Sequence, residues 1–480
     1  MSELASRTAE PGKTEPDGLS RRGFLQRSAA AGAGVMLIGS TEMLITAPAA
    51  AAAPQQAGYG PLVADPAQRL ALPKGFGYTL VSEAGATMLD SGEPTPRNHD
   101  GTGAFSRRGG GTVLVTNHEI RDPFGTDLPV PHHDGLTYDP GAAGGCTVVQ
   151  VDRDGKRLGE TVGVAGTATN CAGGVTPWDT WLTCEEIDAL AGKDGFQKDH
   201  GYVFEVDPYD AGANADPRPI KALGRFEHEA AAVDPHLGDV YLTEDSAGPN
   251  GLLYRWKAPE NFNGRRGGFR RLGATDGVLA AMKATDGAGK HVPDLSLATK
   301  TGTVYRVEWV PVPDRDGRTV ATRKQFADGD ITRARKLEGA WWDGPGVYIV
   351  SSFARAESPV VHDGQVWLYD PRRSTLTLKL LFTKNPDPAR DGAFDGPDNI
   401  SVSPYGGVIL AEDGEGIQHL VGATPSGATF PMARNDFVTA KTKNVEFTGP
   451  IYSPDRKFLF ANVQEPGFTF AITGPWRNQR

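Results

Sequence analysis

The sequence predicts an all-β fold, a six-bladed β-propeller with a long insertion between two blades. Three observations carry that prediction. A hairpin unit recurs about six times, the self-similarity of a radial or stacked repeat. The chain has 61 Gly and 36 Pro, many of them in turn pairs such as Asp-Gly and Pro-Asp. Helical periodicity is scarce, with one weak stretch near Gly277 to Ala284.

Residues 1–53 read as an address and 54–480 as the propeller domain. Ser20-Arg21-Arg22-Gly23-Phe24-Leu25 is a twin-arginine pattern, followed by an Ala/Gly-rich apolar stretch from Ala29 to about Ala47. Ala49 to Ala53 offers small-residue cleavage sites. Together they read as a Tat export signal, so the chain is expected to meet the Tat translocase and to be secreted. Ser40, Thr41 and Glu42 interrupt the apolar stretch, which makes it a poor spanning helix and argues against a stable membrane anchor.

Gly75 to Ser82 reads as a first strand and Phe468 to Thr473 as a last one. In a closed propeller a strand from one terminus commonly completes the other's blade and removes an exposed edge. The clearest unit is His228 to Ser246: an apolar run, a turn at Asp234 to Gly238, a strand at Asp239 to Thr243, then Glu244-Asp245. Antiparallel pairing brings Glu229 beside Glu244 and Asp245. Matching units start at Asp100-Gly101, Cys171-Ala172, Glu338-Gly339, Asp395-Gly396 and Thr448-Gly449. Gly144 to Arg157 and Gly364 to Leu380 look like outer hairpins, Gly201 to Asp207 and Leu252 to Trp256 like single outer strands. Residues 257–330 hold the insertion, in which Ala280 to Lys300 shows little strand character and Thr303 to Val312 reads as a strand.

Asp100, Cys171, Glu229, Glu338, Asp395 and Thr448 should begin the innermost strands and ring one mouth of the channel. Ionised acids and a thiolate gathered there would repel each other, and a bound cation is the natural remedy. Carboxylates suit calcium, magnesium or ferric iron; a thiolate tilts one position toward a transition metal. A second set closes the paired strands: Glu119, Glu185, Glu186, Glu244, Asp245, Glu412, Asp413, Glu415 and Glu465. Any one of these is commonly a solvated acid, but the set recurs at one structural position. His118 and His228 sit beside members of the two sets, as ligands or as ordinary hydrogen-bonded histidines. Asn170 and Asn399 are either neutral ligands or turn residues. Of the three cysteines, Cys146, Cys171 and Cys184, at least one stays unpaired if a disulfide forms. The formal net charge of −10 argues against nucleic acid and anionic membrane surfaces.

The twin-arginine leader, Asn170 to Glu186 (NCAGGVTPWDTWLTCEE), HEAAAVDP from His228, FDGPDNISVS from Phe394 and LAEDGEG from Leu410 together resemble the PhoX family of exported alkaline phosphatases. The resemblance implies a six-bladed propeller holding an iron–calcium cluster, Fe3+ with Ca2+, that cleaves small phosphomonoesters. It places that cluster on Cys171, Glu229, Glu338 and Asp395. Cys184 is the rival thiol. The family's substrate-contacting arginine falls at Arg335 or Lys336, in a segment (Arg-Lys-Leu-Glu-Gly) that departs from the family pattern. A monomeric metallo-phosphatase is the leading expectation. A calcium-dependent lactonase or phosphotriesterase and a non-catalytic scaffold are the alternatives, since one fold hosts many functions.

Overall fold

Short apolar runs separated by Gly, Asn and Asp turns fold here into strands and almost nothing else. The computed structural model describes residues 57–353, 358, 360–438 and 445–479. Among them, helix is limited to five 3₁₀ turns of three or four residues. The chain divides into two units, Met1–Pro54 and Gln55–Arg480. The leader read as an export signal lies outside the described residues. No helix among the described residues is long and apolar enough to cross a membrane.

Six inner strands organise the second unit: His99–Ser106, Asn170–Val175, His228–Val233, Leu337–Asp343, Pro397–Val402 and Phe447–Tyr452. Each contacts the next in that order, and the sixth packs back on the first. The architecture is propeller-like, but among the described residues the strands form five sheets, so six separate blades are not what is seen. Four sheets stand as blades. The fifth has ten strands and contains both the third and fourth inner strands at its two ends. Those ends lie against each other, so this sheet nearly closes on itself. The terminal strands meet as expected: Phe468–Thr473 pairs with Gly77–Glu83. Leu70–Pro73 adds to the edge of the fifth unit, beside Thr429–Asn435.

The long insertion is what fuses the ten-stranded sheet. Val304–Pro311 pairs with Val278–Thr285 on one side and Thr375–Phe382 on the other. Ala280 to Lys300 therefore carries a strand where little strand character is expected, and the weak helical period near Gly277 marks no helix. Alanines make that run helix-like locally. Burial between Leu253–Lys257 and Val304–Pro311 overrides the propensity. Apolar side chains fill the spaces between neighbouring sheets, anchored by fully buried Trp181, Trp256 and Trp367. Truncating an aromatic buried in this way to Ala typically costs about 3–5 kcal/mol.

All six inner hairpins share one irregularity. The register slips by one residue just after the pairs His99↔His118, Asn170↔Glu185, His228↔Glu244, Leu337↔Ser351, Pro397↔Glu412 and Thr448↔Asn462. Such a bulge turns a side chain out of the ladder. The residues leaving it are Asp100-Gly101, Cys171-Ala172, Glu229-Ala230, Glu338-Gly339, Asp398-Asn399 and Gly449-Pro450. A compact second residue lets the strands close on the axis. A Cβ on Gly101 would stand 2.6 Å from the Cys171 carbonyl oxygen, and one on Gly339 2.9 Å from Asn399 Cα. Only about 20 Å³ of cavity remains along this part of the axis, lined by these residues.

Candidate metal centre

The bulges set the lower tier of the site: Asp100, Cys171, Glu229, Glu338 and Asp398 occupy equivalent positions in five units. Gly449, and not Thr448, holds the sixth. The Thr448 hydroxyl instead donates to the His99 carbonyl at 2.8 Å.

The upper tier follows from the period-two alternation of a strand. The residue paired with the start of each inner strand turns into the wall, and its successor faces the mouth. Glu185, Glu244 and Glu412 are wall residues. Glu185 accepts from the Ala168, Gly201 and Tyr202 amides at 2.9–3.0 Å and contacts His200 at 2.6 Å. Glu244 accepts from the Tyr254 hydroxyl at 2.8 Å and from the Leu252 amide. Glu412 accepts from the Asp395 and His419 amides and contacts His419 Nδ1 at 2.9 Å. Their successors Glu186, Asp245 and Asp413, with Glu119 after wall residue His118, stand half-buried at the mouth.

The strand entry is fixed as well. In four units the residue just before the first inner-strand residue has a left-handed backbone: Asn98 (φ 51°), Thr169 (49°), Lys336 (41°) and Gly396 (49°). Their carbonyls accept from the amides of Glu119, Glu186, Ser352 and Asp413 at 2.8–2.9 Å.

Among the described residues three groups of ligand atoms converge, each within 4.8 Å: Cys171 with Glu186 and Glu229; Glu229 with Glu338 and Asp398; Asp398 with Asp413 and Glu446. Their electrostatics is that of acids crowded together out of water. Burial, then neighbouring carboxylates, pushes Glu338 up to about 8 and holds Glu186, Glu229, Asp398 and Glu446 well above the usual range. Burial pushes Glu119 up to about 7 and Asp245 to about 6. The Cys171 thiol is raised by burial and by Glu229. Asp100 Oδ1 is buried without a hydrogen-bond partner. A mixed set of oxygen donors and one sulfur, with an orphaned carboxylate oxygen, fits cations of more than one hardness.

Of the eleven residues read as metal-ligating, Cys171, Glu229, Glu338, Glu119, Glu186, Asp245 and Asp413 face this centre. Glu185, Glu244, Glu412 and Asp395 do not. Asp395 sits in the loop before its strand, accepting from Asn385 Nδ2 at 3.0 Å and the Glu415 amide at 3.1 Å. The Asp-Gly of Asp395-Gly396 mimics Asp100-Gly101. Asp398 is the residue that follows the Pro397↔Glu412 pair, where the register slips. Glu446 was missed too, since nothing but its place before an inner strand marks it. Glu465 is exposed, and Gln464 reaches the mouth in its place, 2.6 Å from Glu119 Oε2.

The neighbouring histidines and amides make hydrogen bonds within the protein. His118 is held by the Arg97 carbonyl and Thr147 hydroxyl, His228 by the Gly224 carbonyl. Asn170 bridges Thr167 and Thr183; Asn399 accepts from the Gly449 amide at 2.6 Å and donates to Asp398. All three cysteines are free and buried. Cys184 packs in the apolar cluster with Leu182, Val203 and Ala231.

A cavity of about 460 Å³ opens beside the mouth. Its walls include Glu186 and Asp245 and the cations Arg121, Arg323, Arg335 and Lys336. Arg335 contacts Asp294 at 3.2 Å, and Lys336 Nζ lies 3.1 Å from Glu338 Oε1. Both residues read as substrate-contacting thus border the centre.

A family model described as alkaline phosphatase PhoX matches residues 57–162 and 155–467. Among solved structures, Pseudomonas fluorescens PhoX in complex with vanadate, a transition-state analogue, is 19% identical with a TM-score of 0.65. The match covers 87% of this chain and 98% of that one. It shows a shared fold. A gluconolactonase from Xanthomonas campestris (13% identity, 79% and 97% covered) has a TM-score of only 0.31. The pyranose dehydrogenase PQQ domain of Coprinopsis cinerea (10%, 84% and 97%) reaches 0.37. At those scores neither bears on this chain. A search of curated proteins finds no match.

Proposed function

This chain belongs to the alkaline phosphatase PhoX family, and from that premise we propose that it is an exported phosphomonoesterase whose centre takes Fe3+ and Ca2+. The observation that carries the reading is the convergence of Cys171, Glu229, Glu338 and Asp398 with the mouth acids Glu186 and Asp413. Cys171 would favour the iron, and the all-oxygen groups the calcium. Cations held there supply positive charge to phosphate oxygens and offset the charge that builds up in the transition state.

The remaining work falls to the chain itself. Arg335, Lys336 and Arg121, which line the cavity, would orient the dianionic ester toward the cation centre. Gly101, Ala172, Ala230 and Gly339 close the channel behind the centre, so substrate enters and product leaves by the one mouth. The ten-stranded sheet is best read as two blades fused by Val304–Pro311. That makes six, a reading supported by the closed cycle of inner strands. Export by the Tat route rests on the leader alone: Ser20 to Leu25, the apolar stretch after it and the small residues Ala49 to Ala53. Replacing Arg21 and Arg22 with Lys should strand the chain in the cytoplasm, and unimpaired secretion of that variant would refute the route.

The decisive experiment measures metal content and hydrolysis of an aryl phosphate on the purified protein, before and after chelation. Iron with calcium, and activity lost on chelation, is the expected result. Calcium without iron would move the reading to a calcium-dependent hydrolase. Activity unaffected by complete metal removal would overturn it.

A further inference from the structure

Lys336 stands among the carboxylates that the proposed cations would use. Its Nζ lies 3.1 Å from Glu338 Oε1 and 3.7 Å from Asp413 Oδ2. Those acids belong to different groups, Glu338 to that of Glu229 and Asp398, Asp413 to that of Asp398 and Glu446. One ammonium therefore bridges two clusters. Asp245 and Asp398 also act on it through their charge.

Two further observations set this lysine apart. Its backbone is left-handed, at φ 41°. For a lysine that conformation costs on the order of 1 kcal/mol, so the fold holds it there against its preference. The amide of Ser352, donating to the Lys336 carbonyl at 2.8 Å, is part of that hold. At the equivalent position the other left-handed residues are Asn98, Thr169 and Gly396, none of them charged. The same unit also lacks a strand-end acid at the mouth, as does the sixth, where Gln464 takes that place. Ser352 stands where other units place Glu119, Glu186, Asp245 and Asp413. This unit brings a cation to the rim in place of a carboxylate.

We propose that Lys336 is a built-in competitor for the cation sites: its ammonium stabilises the acid ring when metal is scarce and raises the concentration of calcium needed to fill it. Lysine and calcium seek the same oxygens, so binding of one must weaken the other. The ammonium is on a flexible four-carbon stem and half exposed, so it can leave the ring without rearranging a strand. Once displaced, it remains on the cavity wall. The proposal rests on the reading of the ring as a cation centre.

The test compares wild type with Lys336→Met and Lys336→Arg, each chelated and then titrated with calcium by calorimetry, with thermal unfolding measured with and without calcium. Lys336→Met should bind calcium on the order of tenfold more tightly, the lower range of such couplings. Its metal-free form should melt below wild type, and the difference should vanish or reverse at saturating calcium. Lys336→Arg should stay near wild type in both. Unchanged or weaker calcium binding by Lys336→Met, with wild type binding normally, overturns the competitor role and leaves the metal centre standing. Absence of calcium binding by wild type overturns both. If the metal-free Met variant fails to fold, titration of the calcium-loaded form by competing chelator gives the same affinity comparison.

Discussion

Asp395 and Asp398 are three residues apart and make opposite predictions. Asp398 belongs to two of the three converging groups, with ligand atoms within 4.8 Å of one another. Two full charges at that separation repel by about 3.5 kcal/mol at an effective dielectric of about 20. Protonation relieves most of this in the metal-free protein, leaving on the order of 1 kcal/mol. Asp398→Asn should therefore raise the melting temperature of chelated protein by about 2 °C. The same change removes an anionic ligand from two groups. Calcium affinity should fall by on the order of 100-fold or more, beyond the usual loss for an outer partner. Asp395→Asn should do the reverse. It weakens a charged acceptor of Asn385 Nδ2 and the Glu415 amide, at a cost of about 1–3 kcal/mol, and leaves calcium binding within a few-fold. Calcium titration and thermal unfolding of both variants, with and without metal, read the four values. If Asp395→Asn loses calcium while Asp398→Asn keeps it, the bulge register does not define the centre.

Three further outcomes follow from the geometry. Cys171→Ser should lower bound iron well before it lowers calcium, while Cys184→Ser should lower stability and spare both metals, as metal analysis and unfolding would show. Equal metal loss in both variants would deny Cys171 its special place. His200 is buried between Glu185 (2.6 Å) and Asp139 (3.0 Å); burial lowers its pKa, but the two carboxylates outweigh that and raise it from 6.5 to about 9. A raised folded value stabilises fully below about 6.5 and is lost as pH rises through about 9, a difference on the order of 3 kcal/mol. The stability read by denaturant unfolding should fall across that window, and His200→Gln should flatten the slope. Gly339→Ala places a Cβ 2.9 Å from Asn399 Cα and from the Asp398 carbonyl oxygen. The inner strands must separate, so unfolding should come at lower denaturant and calcium affinity should fall together; a neutral Gly339→Ala would show that close packing on the axis is not required.

The sequence by itself determined the class of fold and the acidic and thiol side chains that open its inner strands. Recurrent short apolar runs between Gly, Pro and Asp turns make strands wherever they occur, and Cys171, Glu229 and Glu338 were legible because each opens such a run. Which neighbour of a pair faces the channel was not legible. Glu185-Glu186, Glu244-Asp245 and Glu412-Asp413 look interchangeable, and only the observed pairing register decides which member meets His200, Tyr254 or His419 in the wall. The shift from Asp395 to Asp398 and from Thr448 to Gly449 has the same origin. A bulge is a property of two paired strands, and the partner's position is not written in either strand alone. The strand at Val278–Thr285 and the fusion of two units through Val304–Pro311 were also tertiary decisions. An alanine-rich run takes the backbone that buries it, and the neighbours that bury it here are strands brought together only by the closed ring.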